Sequence, residues 1–564
     1  MPTELDRRAF VAYFSAAGLG GTLLPGVLWA QAQQDRVTKE MIIAAERIAG
    51  LEFTDEEREA MLRGLNRNLT AWEDLRRVSL DNAVPPAAQF DPVLPGMELP
   101  RAYQPLRMSA PAPVQRPAEL EQVAFWPVTR LAELIRTRQV TPSELTSMYL
   151  ERLRRHGPRL EAVISLTEER ALRQAAQADA EIANGRYRGP LHGIPWGAKD
   201  LLATADYRTT WGAKPYEEQV IDADATVVRR LDDAGAILVA KLTLGALAQG
   251  DVWYGGKTRN PWNLEQGSSG SSAGSAAATV AGLVGFAIGT ETLGSIVSPS
   301  TRTGATGLRP TFGRVPRTGA MALVWSMDKI GPICRSVEDC ALVLHAIHGP
   351  DDVDPTVRDL PFNWDATLPA RDLRVGYLRG AFEATREDEP AWQRFDEAAL
   401  ETLRGVLGRE PLTVELPDQF PLGSLRSAIL GAESAAAFDE LTRSTRDDLI
   451  ENSSWPDYFR TARLIPAVEY INANRVRTLA MEATHRALQH IDVFITPSYG
   501  GDVLLLTNLT GHPSITLPNG FREDGTPSSI SFVGQLYREG ELLAVAKAWQ
   551  DATDWHTRTP PLFT

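Results

Sequence analysis

The chain has few cysteines and no excess of basic charge. Its only two cysteines, Cys334 and Cys340, exclude a disulfide framework in a protein of 564 residues. No cysteines and histidines share the spacing of metal ligands, so we expect neither a metal nor another cofactor. The net charge is −14 and no long basic block occurs, which argues against nucleic acid as a partner. The composition, 43% hydrophobic and 23% charged, is typical of a soluble globular protein.

The first 32 residues resemble an export signal. Arg7 and Arg8 precede an uncharged stretch, 12–32, that contains Pro25 and ends in Ala30-Gln31-Ala32. A paired arginine, a modestly apolar run and a cleavage-like end are typical of a twin-arginine signal. We therefore expect a periplasmic or secreted protein, cleaved near Ala32, that meets the membrane only during export. A retained membrane anchor is the alternative, since the stretch is about long enough to span a bilayer.

Residues 33–115 predict a helical and proline-rich extension. The stretch 38–48 is amphipathic, and Thr54-Asp55-Glu56-Glu57 is a capping box that opens a helix to about Val78. A proline-rich connector follows over 85–113. The sequence leaves open whether this extension packs on the rest of the chain or forms a partner surface.

The stretch 267–295 carries the candidate chemistry. It begins as a Gly/Ser loop, continues into a helix of small residues predicted over 275–284, crosses a short strand over 286–289 and turns back to Ser295. A flexible linker is the alternative interpretation of a Gly/Ser run. However, the helix has no polar face, which predicts that it lies inside a domain.

A nucleophile elbow is a second interpretation of this stretch. Gly270-Ser271-Ser272-Ala273-Gly274 matches the elbow pattern of α/β-hydrolases, with Ser272 as the nucleophile. That elbow needs a strand leading directly into its first glycine, and a downstream histidine. We predict a loop over 259–267, and none of the eight histidines has a supporting context.

Several ordered motifs, spread over about residues 125–560, resemble those of the amidase signature family. In chain order they are His192-Gly193-Ile194-Pro195-Trp196-Gly197-Ala198-Lys199-Asp200, Gly270 to Ala278, Gly289-Thr290-Glu291-Thr292-Leu293-Gly294-Ser295-Ile296, Gly307 to Val315, Asn508 to Pro513 and Ile515 to Phe521. The resemblance implies an α/β fold in which helices sandwich a mixed β-sheet on both faces. This catalytic domain would occupy 116–564, with a variable helical region over 350–490 covering the pocket.

The resemblance also implies a catalytic triad of two serines and a lysine. Ser295 would be the nucleophile, Ser271 a bridging serine with a cis peptide bond, and Lys199 the base. A serine hydroxyl needs a neighbouring base to become a strong nucleophile, and a lysine serves only when burial lowers its pKa. Ser271 would accept a proton from Ser295 and donate one to Lys199. The alternative for Lys199 is a simple ion pair with Asp200.

An oxyanion hole of backbone N–H groups is implied as well. It would be formed by Thr292, Leu293, Gly294 and Ser295. Leu293 stands where many members of the family carry glycine or aspartate, Ala273 replaces a common glycine and Val297 a common arginine. Because backbone donors survive a change of side chain, these departures bear on substrate choice more than on the reaction.

We predict a serine hydrolase that cleaves linear amide carbon–nitrogen bonds of a small-molecule substrate through an acyl-enzyme. Carbamate and ester substrates stay open on the same triad. The glutaminase subunit of a tRNA amidotransferase is disfavoured, because that work is cytoplasmic and this chain resembles an exported one. A catalytically inactive binding protein on the same fold is the rival from another class. The oligomeric state, a homodimer included, is also open.

Overall fold

The computed structural model describes residues 37–78, 80–384 and 390–564. The chain divides into two compact units, one ending at Asp81 and one spanning Asn82–Thr564. The predicted export signal, residues 1–32, lies outside the described residues. Within the ranges given above, no helix combines the length and the apolar character needed to cross a membrane.

Two helices form the described part of the smaller unit. Helix α1 spans Lys39–Ala49 and α2 spans Asp55–Arg76. The predicted capping box is confirmed, because the Thr54 hydroxyl accepts from the Glu57 N–H and the Glu57 carboxylate accepts from the Thr54 N–H. Arg58 of α2 pairs with Glu46 of α1 at 2.8 Å, which ties the two helices together.

The larger unit alternates helices and strands along most of its length. Its helices are α3 Val128–Arg136, α4 Pro142–Leu160, α5 Glu168–Ala183, α6 Thr226–Asp233, α7 Ala273–Val280, α8 Val297–Thr303, α9 Val337–Ile347, α10 Arg379–Glu383, α11 Pro390–Leu407, α12 Leu422–Ala437, α13 Asp439–Arg443, α14 Trp455–Ala462, α15 Ala467–Leu488, α16 Val503–Thr510 and α17 Glu539–Asp551. Its strands are β1 Val163–Leu166, β2 Pro195–Lys199, β3 Ile237–Leu242, β4 Val252–Trp253, β5 Gly256–Lys257, β6 Arg259–Asn260, β7 Asn263–Gly267, β8 Phe286–Glu291, β9 Thr306–Arg309, β10 Lys329–Cys334, β11 Val375–Leu378, β12 Leu412–Val414, β13 Val493–Pro497, β14 Ser514–Phe521 and β15 Pro527–Gly534.

An 11-stranded mixed sheet forms the centre of this unit, in the order β1-β3-β2-β8-β10-β9-β14-β15-β13-β11-β12. Strands β3, β2 and β8 run parallel to one another, as do β13, β11 and β12, while the strands between these groups pair antiparallel. Every residue of β2, β3 and β13 is buried, so the sheet is covered on both faces. The predicted α/β fold with a helix-flanked mixed sheet is confirmed.

The parallel pairing of β2 with β8 determines where chemistry can occur. Trp196 faces Phe286 and Ala198 faces Ile288 in this pair, so both strands end on the same edge of the sheet. Lys199 is the last residue of β2, and Ser295 follows β8 after a short turn. Ligand sites in α/β sheets lie at such carboxyl ends of parallel strands.

Three local features differ from the sequence-based expectations. The predicted loop 259–267 contains the short hairpin of β6 and β7. Helix α7 begins at Ala273 and ends at Val280, earlier than predicted, because Gly282 adopts a left-handed conformation at φ 69°. The region 350–490 supplies two short strands, β11 and the edge strand β12, that its helix-prone sequence does not reveal.

Residues 82–115, here called the strap, belong to the larger unit and pack on it. Phe90 lies edge-on to Phe312, with ring centroids 5.0 Å apart. The Gln104 N–H donates to the Asn363 side chain at 2.8 Å. The proline-rich part of the predicted extension therefore contacts the same unit that carries the sheet.

Candidate active site

Lys199 ends β2 with its amine nitrogen inside the protein. Its side chain is fully buried. The Nζ atom lies 2.8 Å from Ser271 Oγ, 3.0 Å from Ser272 Oγ and 2.9 Å from Thr290 Oγ1. Burial lowers the pKa of Lys199 well below its usual value, although the charges of Asp328 and Glu291 act in the opposite direction. The amine is therefore held among hydroxyl groups in a setting that favours its neutral form.

The alternative ion pair with Asp200 does not form. Asp200 pairs instead with the Lys241 amine at 2.9 Å, and both side chains are fully buried. The Asp200 carboxylate also accepts from the N–H and the hydroxyl of Thr210, at 2.8 and 2.6 Å. Because adjacent residues of an extended strand point to opposite faces, Lys199 and Asp200 project into different environments.

Ser271 and Ser272 both contact the lysine, but their surroundings differ. The peptide bond between Gly270 and Ser271 is cis. The Ser272 hydroxyl donates to the Thr290 carbonyl at 3.0 Å and accepts from the Thr290 N–H at 3.1 Å. Ser272 therefore ties the start of α7 to β8, and its hydroxyl is already engaged. This arrangement does not match a nucleophile elbow, in which that hydroxyl would be free to attack.

Ser295 lies beside this cluster, in the turn between β8 and α8. The Ser295 carbonyl accepts from the Ser272 N–H at 3.1 Å, which joins the two serine-bearing segments. The residue is 8% exposed. Among the residues that the structure describes, no hydrogen bond involves the Ser295 hydroxyl, so the expected bond to Ser271 is not formed here. The hydroxyl is free to meet a substrate.

The turn before Ser295 presents backbone donors. None of the N–H groups of Thr292, Leu293, Gly294 and Ser295 donates a hydrogen bond within the described parts of the chain. Gly294 has φ 86°, a conformation that side chains disfavour, and a Cβ there would meet Ser298 Oγ at 3.0 Å. Leu293 packs against the main hydrophobic core. A group of free N–H donors beside a free hydroxyl can stabilise a developing oxyanion.

Glu291 holds this turn in shape, a role that the sequence did not reveal. One of its carboxylate oxygens accepts from the N–H groups of Ile296 and Val297, at 2.9 and 3.0 Å. The other pairs with Arg309 at 2.8 Å and accepts from the Asn508 amide at 2.9 Å. Burial raises the pKa of Glu291, but the charge and hydrogen bonds of Arg309 outweigh it and leave a pKa of about 2. Glu291 thus stays ionised and fixes both ends of the turn.

A cavity of about 180 Å³ adjoins the site at Thr290 and Thr292. Its apolar lining comes from Leu201, Ala248, Met321, Leu323, Trp325 and Ile330, with Asn82, Ala83 and Pro85 of the strap. Asn82 is fixed to this wall, because its amide oxygen accepts from the Ala322 N–H at 2.7 Å and its amide nitrogen donates to the Ala322 carbonyl at 2.9 Å. The strap is therefore part of the cavity.

The charged groups of this cavity are paired with their own neighbours. Asp328 accepts from the Thr292 hydroxyl at 2.5 Å and from the N–H groups of Leu323 and Val324. Arg317 pairs with Asp354 at 3.0 Å. Lys329 donates to the Met327 carbonyl, and burial lowers its pKa well below the usual value. The cavity consequently offers little unpaired charge to a ligand.

Two further observations concern possible metal ligands and the aromatic residues near the cavity. No cluster of three or more His, Cys, Asp or Glu side chains suited to a metal occurs within the described ranges. Trp455 and Phe459 of the middle region lie in the core: Phe459 is fully buried and stacks on Trp455 with ring centroids 4.8 Å apart. The Trp455 indole donates to the Ala246 carbonyl at 3.1 Å, so it supports the segment that supplies Ala248 to the cavity.

Comparison with known proteins gives consistent matches over most of the chain. The profile of the family described as Amidase matches residues 144–543. The A-type subunit of the glutamyl-tRNA(Gln) amidotransferase from Moorella thermoacetica is 34% identical over 476 residues, covering 77% of this chain and 97% of that protein. Its counterpart from a Roseiflexus species is 35% identical over 478 residues, covering 76% and 97%. Among solved structures, the native peptide amidase of Stenotrophomonas maltophilia is 33% identical with a TM-score of 0.69, covering 78% and 99%.

Proposed function

The chain belongs to the amidase signature family, whose members act on carbon–nitrogen bonds, and from this premise we propose that it is a serine hydrolase of linear amides. The observation that carries the proposal is the buried Lys199 amine 2.8 Å from the Ser271 hydroxyl, where burial lowers the lysine pKa. A neutral amine in contact with a hydroxyl can accept a proton, which is what activation of a serine requires.

In the proposed reaction the Ser295 hydroxyl attacks the amide carbonyl carbon. Its proton passes through the Ser271 hydroxyl to Lys199, and the carbonyl oxygen becomes an oxyanion held by N–H groups of the turn 292–295. The C–N bond then breaks, the amine leaves with a proton returned from Lys199, and an ester to Ser295 forms. Water, deprotonated by the same base, hydrolyses this ester and regenerates the free hydroxyl.

The cavity beside Thr292 supports an uncharged, mainly apolar substrate group. Its arginine and its aspartates are already paired, and burying an unpaired ligand charge there would be costly. This favours neutral amides over free amino acids, while carbamates and esters of similar shape stay open as substrates.

The glutaminase subunit of an amidotransferase is the alternative, favoured by the likeness to the amidotransferase proteins described above. Glutamine carries an α-ammonium and an α-carboxylate, so a glutaminase must offer charged partners for both. Ammonia release from L-glutamine and from a neutral primary amide distinguishes the two proposals. We expect turnover of the neutral amide and little of glutamine; the reverse result would favour the amidotransferase.

Covalent labelling tests the proposed nucleophile. A fluorophosphonate probe reacts with an activated serine, and we expect one adduct, located on Ser295 by peptide mass spectrometry. Ser295→Ala should lose both the label and turnover, whereas Ser298→Ala, three residues further along, should keep both. An adduct on another serine would refute the assignment, and no adduct at all would favour an inactive binding protein.

We also propose that the protein is exported through the twin-arginine route and works in the periplasm or outside the cell. N-terminal sequencing of protein recovered from these fractions should give a start near Gln33. Recovered protein that retains Arg7 and Arg8 would contradict cleavage.

A further inference from the structure

A second and larger cavity, of about 890 Å³, lies at the end of strand β10 that is farther from the candidate active site. Strand β10 connects the two places: Lys329 at its start lies opposite Glu291, whereas Arg335 follows its last residue and lines the second cavity. The six residues of β10 separate them by about 20 Å. No residue of the proposed reaction lines this cavity.

The lining of the second cavity is strongly basic. Its positive charge comes from Arg130, Arg152, Arg155 and Arg335, and His156 and His556 also line it. Glu121 is the only acidic side chain among the lining residues, and it is shared by Arg152 and Arg155. In the described part of the chain, no carboxylate forms an ion pair with Arg130 or Arg335. This local excess of positive charge stands out in a protein whose net charge is −14.

Neighbouring groups hold the arginines in place. Arg335 is only 8% exposed and donates to the carbonyls of Gly285 and Val284, at 3.2 and 3.1 Å. Its Nε, however, has no acceptor among the described residues. The Arg130 guanidinium lies 3.9 Å from the centroid of the Trp126 ring, which also lines the cavity. These side chains are therefore ordered before any ligand arrives.

From this arrangement we propose that the cavity binds a small polyanion carrying phosphate or carboxylate groups. Guanidinium groups donate paired hydrogen bonds that fit the oxygens of both anions. Several arginines converge here, and Glu121 is the only acidic side chain among the lining residues that offsets them.

The pKa of His156, which lies among these arginines, depends on the electrostatic potential in the cavity. Burial lowers the pKa of His156, and the charges of Arg152, Arg155 and Arg159 lower it further, to about 4. A bound polyanion would offset these charges and raise that pKa. His156 is thus an internal probe that can be followed by NMR in the full chain.

Isothermal titration of the purified protein with inorganic pyrophosphate, and separately with citrate, tests the site. We expect saturable binding of one molecule of at least one probe at low salt, weakened by added NaCl. Arg155→Gln and Arg130→Gln should each weaken binding about fivefold, since an exposed ionic hydrogen bond contributes on the order of 1 kcal/mol. Arg154→Gln is the matched control for Arg155→Gln: Arg154 lies next to Arg155 on α4, is exposed and does not line the cavity.

The two probes distinguish the ligand groups. Binding of pyrophosphate alone assigns the site to phosphates, binding of citrate alone assigns it to carboxylates, and binding of both keeps the shared chemistry. Protein labelled on Ser295 should bind equally well, and the His156 pKa should rise on saturation. Absence of saturable binding of either probe would overturn the proposal, as would an equal loss of affinity in Arg154→Gln and Arg155→Gln.

Discussion

Replacing Lys199 by methionine tests the proposed base most directly when Lys241→Met is measured beside it. Both lysines are fully buried, but of the two only Lys241 has a carboxylate partner, Asp200 at 2.9 Å. Methionine has a similar length and cannot accept a proton. Each variant therefore removes one fully buried amine, and the two amines differ in their proposed roles.

We expect opposite effects on turnover and stability. Lys199→Met should lower kcat by about 10²–10⁴-fold, the contribution typical of a general base. Lys241→Met should keep turnover but leave the Asp200 carboxylate buried without its partner, which costs about 3–5 kcal/mol of unfolding free energy. Removing Lys199 should cost less, because Ser272 keeps its bonds to Thr290.

The pH dependence of stability adds a second test. The folded pKa of Lys199 is lowered well below that of the unfolded chain, about 10.4. Between these two values the unfolded chain binds more protons, so wild-type stability gains from this group as pH rises. The unfolding free energy of Lys199→Met minus that of wild type should therefore be larger near pH 7 than near pH 10. Chemical denaturation at both pH values measures this difference.

Assays with a neutral amide and denaturation curves on the same preparations complete the comparison. The reasoning is refuted if Lys199→Met retains turnover within a few fold of wild type, because a base would then have to come from elsewhere. It also fails if Lys241→Met loses turnover as severely while remaining folded.

Three other outcomes are expected. The kcat/KM for a neutral amide should rise with pH through the lowered pKa of Lys199 and then level off, and a profile that falls as pH rises would contradict a lysine base. Asn82→Ala should raise KM several-fold with little change in kcat, since each lost bond to Ala322 contributes about 0.5–1.5 kcal/mol; an unchanged KM would remove the strap from the binding cavity. Glu291→Gln should lower the free energy of unfolding by about 3–5 kcal/mol, because Arg309 loses its buried partner, and thermal denaturation checks this.

Much of the fold followed from the sequence where local signals were strong. Thr141-Pro142-Ser143-Glu144 combines an N-cap, a first-turn proline and a capping glutamate, and α4 begins at Pro142. The apolar run 236–242 predicts a strand, and β3 spans Ile237–Leu242. Such signals act over a few positions. The strand β11 and the edge strand β12 were not predicted. They are short and partly exposed, and their pairing depends on β13, more than 75 residues further along the chain.

The candidate site was predictable only in part. The proximity of Lys199 and Ser271 was expected from the motifs, but the partners of Lys199 at Ser272 and Thr290 were not. The anchoring role of Glu291 depends on Arg309 and Asn508, which come from distant strands and helices. The contribution of Asn82 to the cavity likewise needs a contact across 240 positions that no local pattern encodes.

The register of β2 decides whether an amine or a carboxylate faces Ser271 and Ser272. Lys199 ends β2 and Asp200 follows it, and an irregularity between Trp196 and Gly197 shifts the register of β2 against β3. Since a slip by one residue reverses the side chains of a strand, a deletion upstream in β2 would place Asp200 where Lys199 stands and Leu201 where Asp200 stands. A carboxylate would then face the serines, and Lys241 would lose its buried partner. Insertions and deletions in this strand should accordingly be far less tolerated than substitutions of its apolar residues.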